Sequence, residues 1–292
     1  MKLITYQYEN STSLGALMDN AIIDLHHASS EALPSDMLGF LQAGETAMTI
    51  ARETIAQEAI TASQAQLPLD AVKLLAPVPT PSKIIAIGLN YQDHIRESGL
   101  PAPELATMFC KYPSAIIGDG GKIRWSTSLT HQVDYEAELA VIIGKTARRV
   151  AADDAYDYIA GYTNCNDVSA RDLQFRPGDQ WLRGKCLDSF CPLGPCLVTR
   201  DEIKDPQQLR IQCRVNGEIR QDSNTSEMIY QIPYLIEYLS AAFTLLPGDI
   251  IATGTPHGVG AFSKPPQWLQ HGDQVCVEIE GLGCLTNTCV SD

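Results

Sequence analysis

Positive charge is scarce in this sequence. Lys and Arg number 21 against 35 Asp and Glu, a formal net charge of −14 over 292 residues. A chain of that balance repels phosphate backbones and anionic lipid surfaces, so neither a nucleic acid nor a membrane is expected as partner. Long apolar runs are missing as well. The best stretch, residues 139–144, falls far short of the ~20 residues a spanning helix needs. The opening MKLITYQYEN has neither the apolar core of a secretory leader nor the Arg- and Ser-rich bias of a transit peptide, and the expected location is cytoplasmic. There is no internal repeat or low-complexity tract, and an apolar content of 45% excludes disorder.

Familiar motifs are absent too. The nine cysteines contain no Cys-x-x-Cys pair, and a chain of this length needs no disulfide staples, so free thiols are expected. Cys186, Cys191 and Cys196 have no histidine beside them, which argues against zinc. Gly144-Lys145-Thr146 resembles the end of a phosphate loop, but Leu139 stands where its first glycine belongs. Neither a Gly-x-Ser-x-Gly elbow nor a His-Glu-x-x-His helix occurs.

What is present divides unevenly at a Pro-rich seam, residues 76–81. Each proline pushes its predecessor toward extended geometry, so the seam reads as a stiff connector. Before it, residues 1–75 read as a small unit with strands over 3–8 and 21–25. A helix is expected over 47–65, with Ile50, Ile55, Ala59 and Ile60 on one side. After it, residues 82–292 are mostly strands: 83–88, 139–144, 159–163, 209–215 turning at Asn216-Gly217, and 274–280 returning through 284–290. One clear helix opens at Pro233 and repeats apolar residues at Ile236, Leu239 and Phe243. The expected class is a β-rich α+β domain with a small N-terminal α/β appendage.

Chemistry concentrates in three segments. In Asp134-Tyr135-Glu136-Ala137-Glu138-Leu139, the strand period of two puts Glu136 and Glu138 on one face. Two carboxylates near a core repel unless a cation bridges them, and oxygen donors suit Mg²⁺, Mn²⁺ or Ca²⁺. The plainer alternative is a solvated polar stripe. Asp167, at the end of the 159–163 strand segment, can complete a three-carboxylate set. Arg171 and Lys185, with Arg176 and Arg183 nearby, supply charge for an anionic ligand. Arg171 and Asp172 can equally form a local ion pair. His94 and Glu97 share one face of a helical turn, as a general base with its orienting carboxylate or as a surface pair.

Together these blocks resemble the fumarylacetoacetate hydrolase superfamily: Gly88-Leu89-Asn90-Tyr91-x-x-His94-x-x-Glu97, the Glu136-x-Glu138 strand, Asn166 to Asp172, Gly184-Lys185, Cys191 to Pro195, and Thr253-Gly254-Thr255-Pro256-x-Gly258. The segment Lys264-Pro265-Pro266 and Gly272-Asp273 look most like the branch holding acylpyruvases and oxaloacetate tautomerases. The resemblance implies a mixed β-sandwich roll, a homodimer, and one divalent cation, typically Mg²⁺, on Glu136, Glu138 and Asp167. It further implies catalytic roles for His94, Glu97 and Lys185, substrate contacts from Arg171, Gln174 and Thr255, and support from Lys111.

A 2-oxo acid can chelate such a cation, which then favours its enolate. The reaction first expected is hydrolytic C–C cleavage of an acylpyruvate-type acid. Keto–enol tautomerisation or decarboxylation of oxaloacetate or a related diacid is the alternative, because all three share the enolate. A non-catalytic ligand-binding protein on the same fold, or a thiol-based redox protein, are the remaining alternatives.

Overall fold

A computed structural model describes residues 1–61, 65–178 and 180–292. The opening residues form the antiparallel strands β1 (Lys2–Tyr8), β2 (Ser11–Met18) and β3 (Ala21–Asp24). Asp24 then caps the short helix α1 (Leu25–Ala28) through the His27 amide. Helix α2 (Met37–Thr61) and the short strands β4 (Gln66–Pro68) and β5 (Lys73–Leu74) follow. The helix expected over 47–65 thus begins earlier, and a break at Gly44 (φ 67°) hides its first turns from the apolar periodicity. Residues 62–64, the end of that expectation, and the Ile60 side chain lie outside what is described.

The Pro-rich segment carries no helix or strand. Beyond it come β6 (Ile84–Gly88), α3 (Gln92–Ser98), β7 (Thr107–Lys111), β8 (Ile116–Ile117), β9 (Lys122–Trp125) and β10 (Val133–Asp134). The central stretch gives β11 (Ala137–Ile143), β12 (Ile159–Asn166), β13 (Ser169–Ala170), α4 (Arg171–Gln174), α5 (Trp181–Lys185) and β14 (Cys191–Thr199). The remainder is β15 (Arg210–Val215), β16 (Glu218–Asn224), α6 (Ile232–Ala242), β17 (Ile250–Ala252), β18 (Gln274–Ile279) and β19 (Gly283–Ser291).

Among the described residues the strands build a twelve-stranded mixed sheet, β4-β3-β2-β1-β14-β12-β11-β17-β6-β7, with β5 on β1 and β8 on β14. A five-stranded sheet, β16-β15-β18-β19-β9, packs against it, and β10 pairs with β13 apart. Leu139, Val141 and Ile143 of β11 meet Ile211, Cys213 and Val277 between the sheets. Ala140 and Ile142, on the other face of β11, join Phe40 and Leu41 of α2. Burial on both faces explains why β11 reads as an unbroken apolar run. The fold is the β-rich α+β sandwich that the resemblance implied. The N-terminal strands extend the large sheet, because β1 pairs antiparallel with β14 (Lys2↔Val198, Leu3↔Leu197).

Local turn chemistry follows the sequence closely. Asn216 (φ 53°) and Gly217 (φ 82°) form the left-handed two-residue turn expected between β15 and β16. One expectation is corrected. Cys276 and Cys284 are disulfide-bonded, with Cα atoms 6.3 Å apart, and the other seven cysteines are free. The β18–β19 register sets Glu278 opposite Cys284 and Cys276 opposite Thr286, so the two cysteines are diagonal neighbours across a hairpin.

Candidate active site

Where β11 leaves the sandwich, its apolar run gives way to Glu138 and Glu136, both buried. Asp167, just past the end of β12, completes the group: ligand oxygens of the three carboxylates lie within 4.8 Å of one another. The polar-stripe alternative is thereby excluded. The Asp167 amide donates to the Glu136 carbonyl at 2.9 Å, and the Glu136 amide donates to Asn166 Oδ1 at 3.0 Å, so backbone bonds hold the acids together.

Three buried cations face these acids. Lys185 Nζ, delivered by α5, lies 2.7 Å from both Glu136 Oε2 and Asp167 Oδ2. Lys111 Nζ, from the inner end of β7, donates to Asp167 Oδ1 at 2.5 Å and to the carbonyl of Lys185. Arg171 sets its Nη2 2.8 Å from Asp134 Oδ2 and 2.7 Å from Glu136 Oε1, while Asp172 instead accepts from Thr130. The local Arg171–Asp172 pair therefore does not form. Arg176 and Arg183 stay exposed and do not line the cleft.

The electrostatic consequence is uneven. Burial raises the Glu136 carboxyl, yet Lys185 and Arg171 outweigh it and hold the group down at about 2. Among the described residues Glu138 has only the Gly254 amide, at 3.0 Å, as hydrogen-bond partner. Burial, then Asp167 and Glu136, push it well above the usual carboxylate range. Four acids with Asp134 against three cations leave one carboxylate uncompensated, and Glu138 is that one. An all-oxygen cluster with a surplus buried negative charge fits a hard divalent cation.

The wall opposite the acids is α3. His94 is buried, with Nδ1 3.3 Å from Glu97 Oε2, and its ring meets Phe262 edge-on at 5.6 Å between centroids. The surface-pair alternative is excluded, since the His94 side chain is only 8% exposed. Glu97 Oε1 in turn accepts from the Gly258 amide at 2.9 Å, which aims the carboxylate at the imidazole. The helix is tied down at its start. Asn90 donates to the Thr253 carbonyl at 2.7 Å and accepts from the Tyr230 amide at 2.8 Å, and Ser223 donates to Asp93 at 2.5 Å. Gly254 (φ 100°) lets the 253–258 loop pass, because a Cβ there would lie 2.8 Å from the Asn90 Cβ.

His94, Glu136, Glu138, Arg171, Gln174, Lys185 and Thr255 line one cleft with Leu89, Phe109, Phe175, Trp181 and Phe262, and little free space remains, about 50 Å³. A larger groove of about 850 Å³ lies near Tyr6, Asp24 and His27 but gathers no comparable set of charges. Asp134 and Gln221 were not singled out from the sequence as site residues. Asp134 stands inside the acidic motif, but the bond that matters reaches Arg171, 37 residues away. Gln221 carries no sequence signal at all.

A family model described as "Fumarylacetoacetate (FAA) hydrolase C-terminal" matches residues 83–290. The chain is 46% identical over 297 residues to the rat "Oxaloacetate tautomerase Fahd2a, mitochondrial", covering 99% of this chain and 92% of that protein. It is 42% identical to "Oxaloacetate tautomerase YisK" of Bacillus subtilis, covering 98% of this chain and 99% of that one. Among solved structures, a maleylpyruvate hydrolase from Sphingobium in complex with manganese(II) and pyruvate is 32% identical, with a TM-score of 0.79 and coverage of 100% and 99%. The rat protein's mitochondrial name corrects the cytoplasmic expectation, which rested on the opening residues and on the free thiols.

Proposed function

The chain belongs to the fumarylacetoacetate hydrolase family and is an enzyme of that superfamily, and from this premise we propose that it is a divalent-cation-dependent oxaloacetate keto–enol tautomerase. The observation that carries the reading is that His94, paired with Glu97, shares one narrow cleft with Glu136 and Glu138, whose carboxylates cluster with that of Asp167. Two relatives named oxaloacetate tautomerases, one mammalian and one bacterial, support it. Tautomerisation thus moves ahead of the C–C hydrolysis first expected from the sequence.

Glu136, Glu138 and Asp167 are the proposed ligands of Mg²⁺ or Mn²⁺. Held there, such a cation would supply Lewis acidity that favours the enolate of a 2-oxo acid. His94 Nδ1 is engaged by Glu97, so Nε2 is the nitrogen left to exchange protons. It takes the proton from the enol oxygen or from C3 and returns it at the other position, with nothing consumed. Glu97 stabilises the imidazolium formed in between. Lys185 and Arg171 balance the acids, and Phe109, Trp181 and Phe262 exclude water that would otherwise attack.

Proton NMR tests this directly. With freshly dissolved enol-oxaloacetate and Mg²⁺, accelerated enol-to-keto conversion that EDTA abolishes is expected. Release of pyruvate and acetate from acetylpyruvate would instead establish hydrolysis, the second reading, which the likeness to the maleylpyruvate hydrolase favours. A homodimer is also proposed, supported by the exposed Leu105, Met108 and Tyr112 on and beside the edge strand β7, and light scattering reads it.

A further inference from the structure

The residues that line the cleft sort by chemistry and by depth. Glu136, Glu138, Arg171 and Lys185, with His94, are buried and form a charged floor. Leu89, Phe109, Trp181 and Phe262 are partly exposed, and Leu100 and Phe175 are 43% and 54% exposed, so the mouth is apolar. The anionic 2-oxo acid group of a substrate belongs at the floor, beside the cations and the proposed metal ligands. Whatever its C3 carries then faces the mouth.

Helix α5 starts at this mouth and runs inward. Trp181 is partly exposed, whereas Lys185, four residues on and therefore on the same face, is buried with Nζ 2.7 Å from Glu136 Oε2 and Asp167 Oδ2. Their backbones are ~6 Å apart along the helix axis. The helix is held firmly. A Cβ on Gly184 would lie 2.6 Å from the Ala170 carbonyl oxygen and from the Gln174 amide nitrogen, so α5 rests directly on that backbone, and Lys111 donates to the Lys185 carbonyl. The indole is held as well. Its six-membered ring lies on Gly88 at the end of β6, where a Cβ would be 2.8 Å from Cζ3. Phe109 meets it edge-on at 6.0 Å between centroids, and that ring is in turn 5.2 Å from Lys185 Nζ.

We propose that Trp181 is a specificity-determining residue: held at the mouth by Gly88 and Phe109, its indole limits the bulk that a 2-oxo acid can carry on C3. A group the size of a carboxylate is admitted, and an aryl or long alkyl group is excluded. This rests on the tautomerase reading and narrows its substrates to small 2-oxo acids. The exclusion is steric, because an apolar mouth with room to spare would favour an apolar substituent.

The test uses oxaloacetate and phenylpyruvate, which share the 2-oxo acid and the C3 hydrogens and differ in what C3 carries. Exchange of those hydrogens for solvent deuterium in Mg²⁺, followed by proton NMR, reports keto–enol interconversion of both. Wild type is expected to accelerate exchange of oxaloacetate and to leave phenylpyruvate near its enzyme-free rate. In Trp181→Ala, kcat/KM for phenylpyruvate rises roughly tenfold to a hundredfold, while that for oxaloacetate falls as water enters the cleft. Loss of a merely structural contact lowers both together. Calorimetry gives a readout independent of turnover: in Mg²⁺, phenylpyruvate binds Trp181→Ala about tenfold tighter than wild type or better, with no such gain for pyruvate.

Wild type that accelerates phenylpyruvate exchange as much as that of oxaloacetate overturns the proposal, as does folded Trp181→Ala with no gain in phenylpyruvate exchange or binding. Should Trp181→Ala fail to fold, Trp181→Leu decides by the same two readouts. Wild type inactive on both compounds sinks the tautomerase reading alone, since the dissociation constants of phenylpyruvate and pyruvate still decide the role of Trp181.

Discussion

Glu138 is the acid in the cluster without a cation of its own. Its raised carboxyl holds a proton over a wider pH range than an ordinary glutamate, so a divalent cation must displace that proton. Affinity for Mg²⁺ or Mn²⁺ is therefore expected to rise with pH, with up to one proton released per site. Calorimetry in two buffers of different ionisation enthalpy reads the release. Glu138→Gln removes a ligand and should weaken cation binding by at least about a hundredfold, with turnover lost. His94→Ala separates the roles: cation binding is kept while kcat falls by about 10²–10⁴. A near-normal rate in that variant would remove His94 from the proton path.

Among the elements, α3 is held at its start by hydrogen bonds to segments distant in sequence. Asn90 binds the backbone of both the 253–258 loop and the segment before α6, so its loss strands buried carbonyls. Asn90→Ala should cost about 2–3 kcal/mol in urea unfolding and speed hydrogen exchange in α3. Much of this site was legible in sequence. The spacing of Glu136 and Glu138 on a strand, and of His94 and Glu97 on a helical turn, is periodicity that local geometry enforces. What joins those elements was not legible. Lys111 reaches Asp167 across 56 residues and Gln221 reaches Ala137 across 84, and nothing in either neighbourhood encodes the partner. The same limit hid the attachment of β1 to β14, and an isolated apolar strand names no neighbour.

For the whole molecule, the two glutamates pull stability in opposite directions with pH. Glu138, raised in the folded state, gives stability that is present below about 4.3 and is lost as pH rises through its folded value. Glu136, lowered to about 2, gives stability that is present above the ordinary carboxylate value and is lost as pH falls toward that figure. In EDTA these two groups favour a maximum in the urea midpoint near pH 4–5, with both arms falling. Saturating Mg²⁺ should lift the alkaline arm, because it stabilises ionised Glu138 in the folded state alone. The net charge of −14 adds self-repulsion that grows along that same arm.

The β1–β14 pairing also has a temporal side. β1 leaves the ribosome long before its neighbour β14, which lies far downstream in the sequence. In the interval β1 can find β2 along one edge and β5 at Tyr6 and Gln7 of the other, but Lys2 and Leu3 on that second edge stay open, a template for any passing strand. Synthesis therefore has a window of vulnerability that ends when β14 emerges. A chaperone that shields strand edges would act before the catalytic cleft exists.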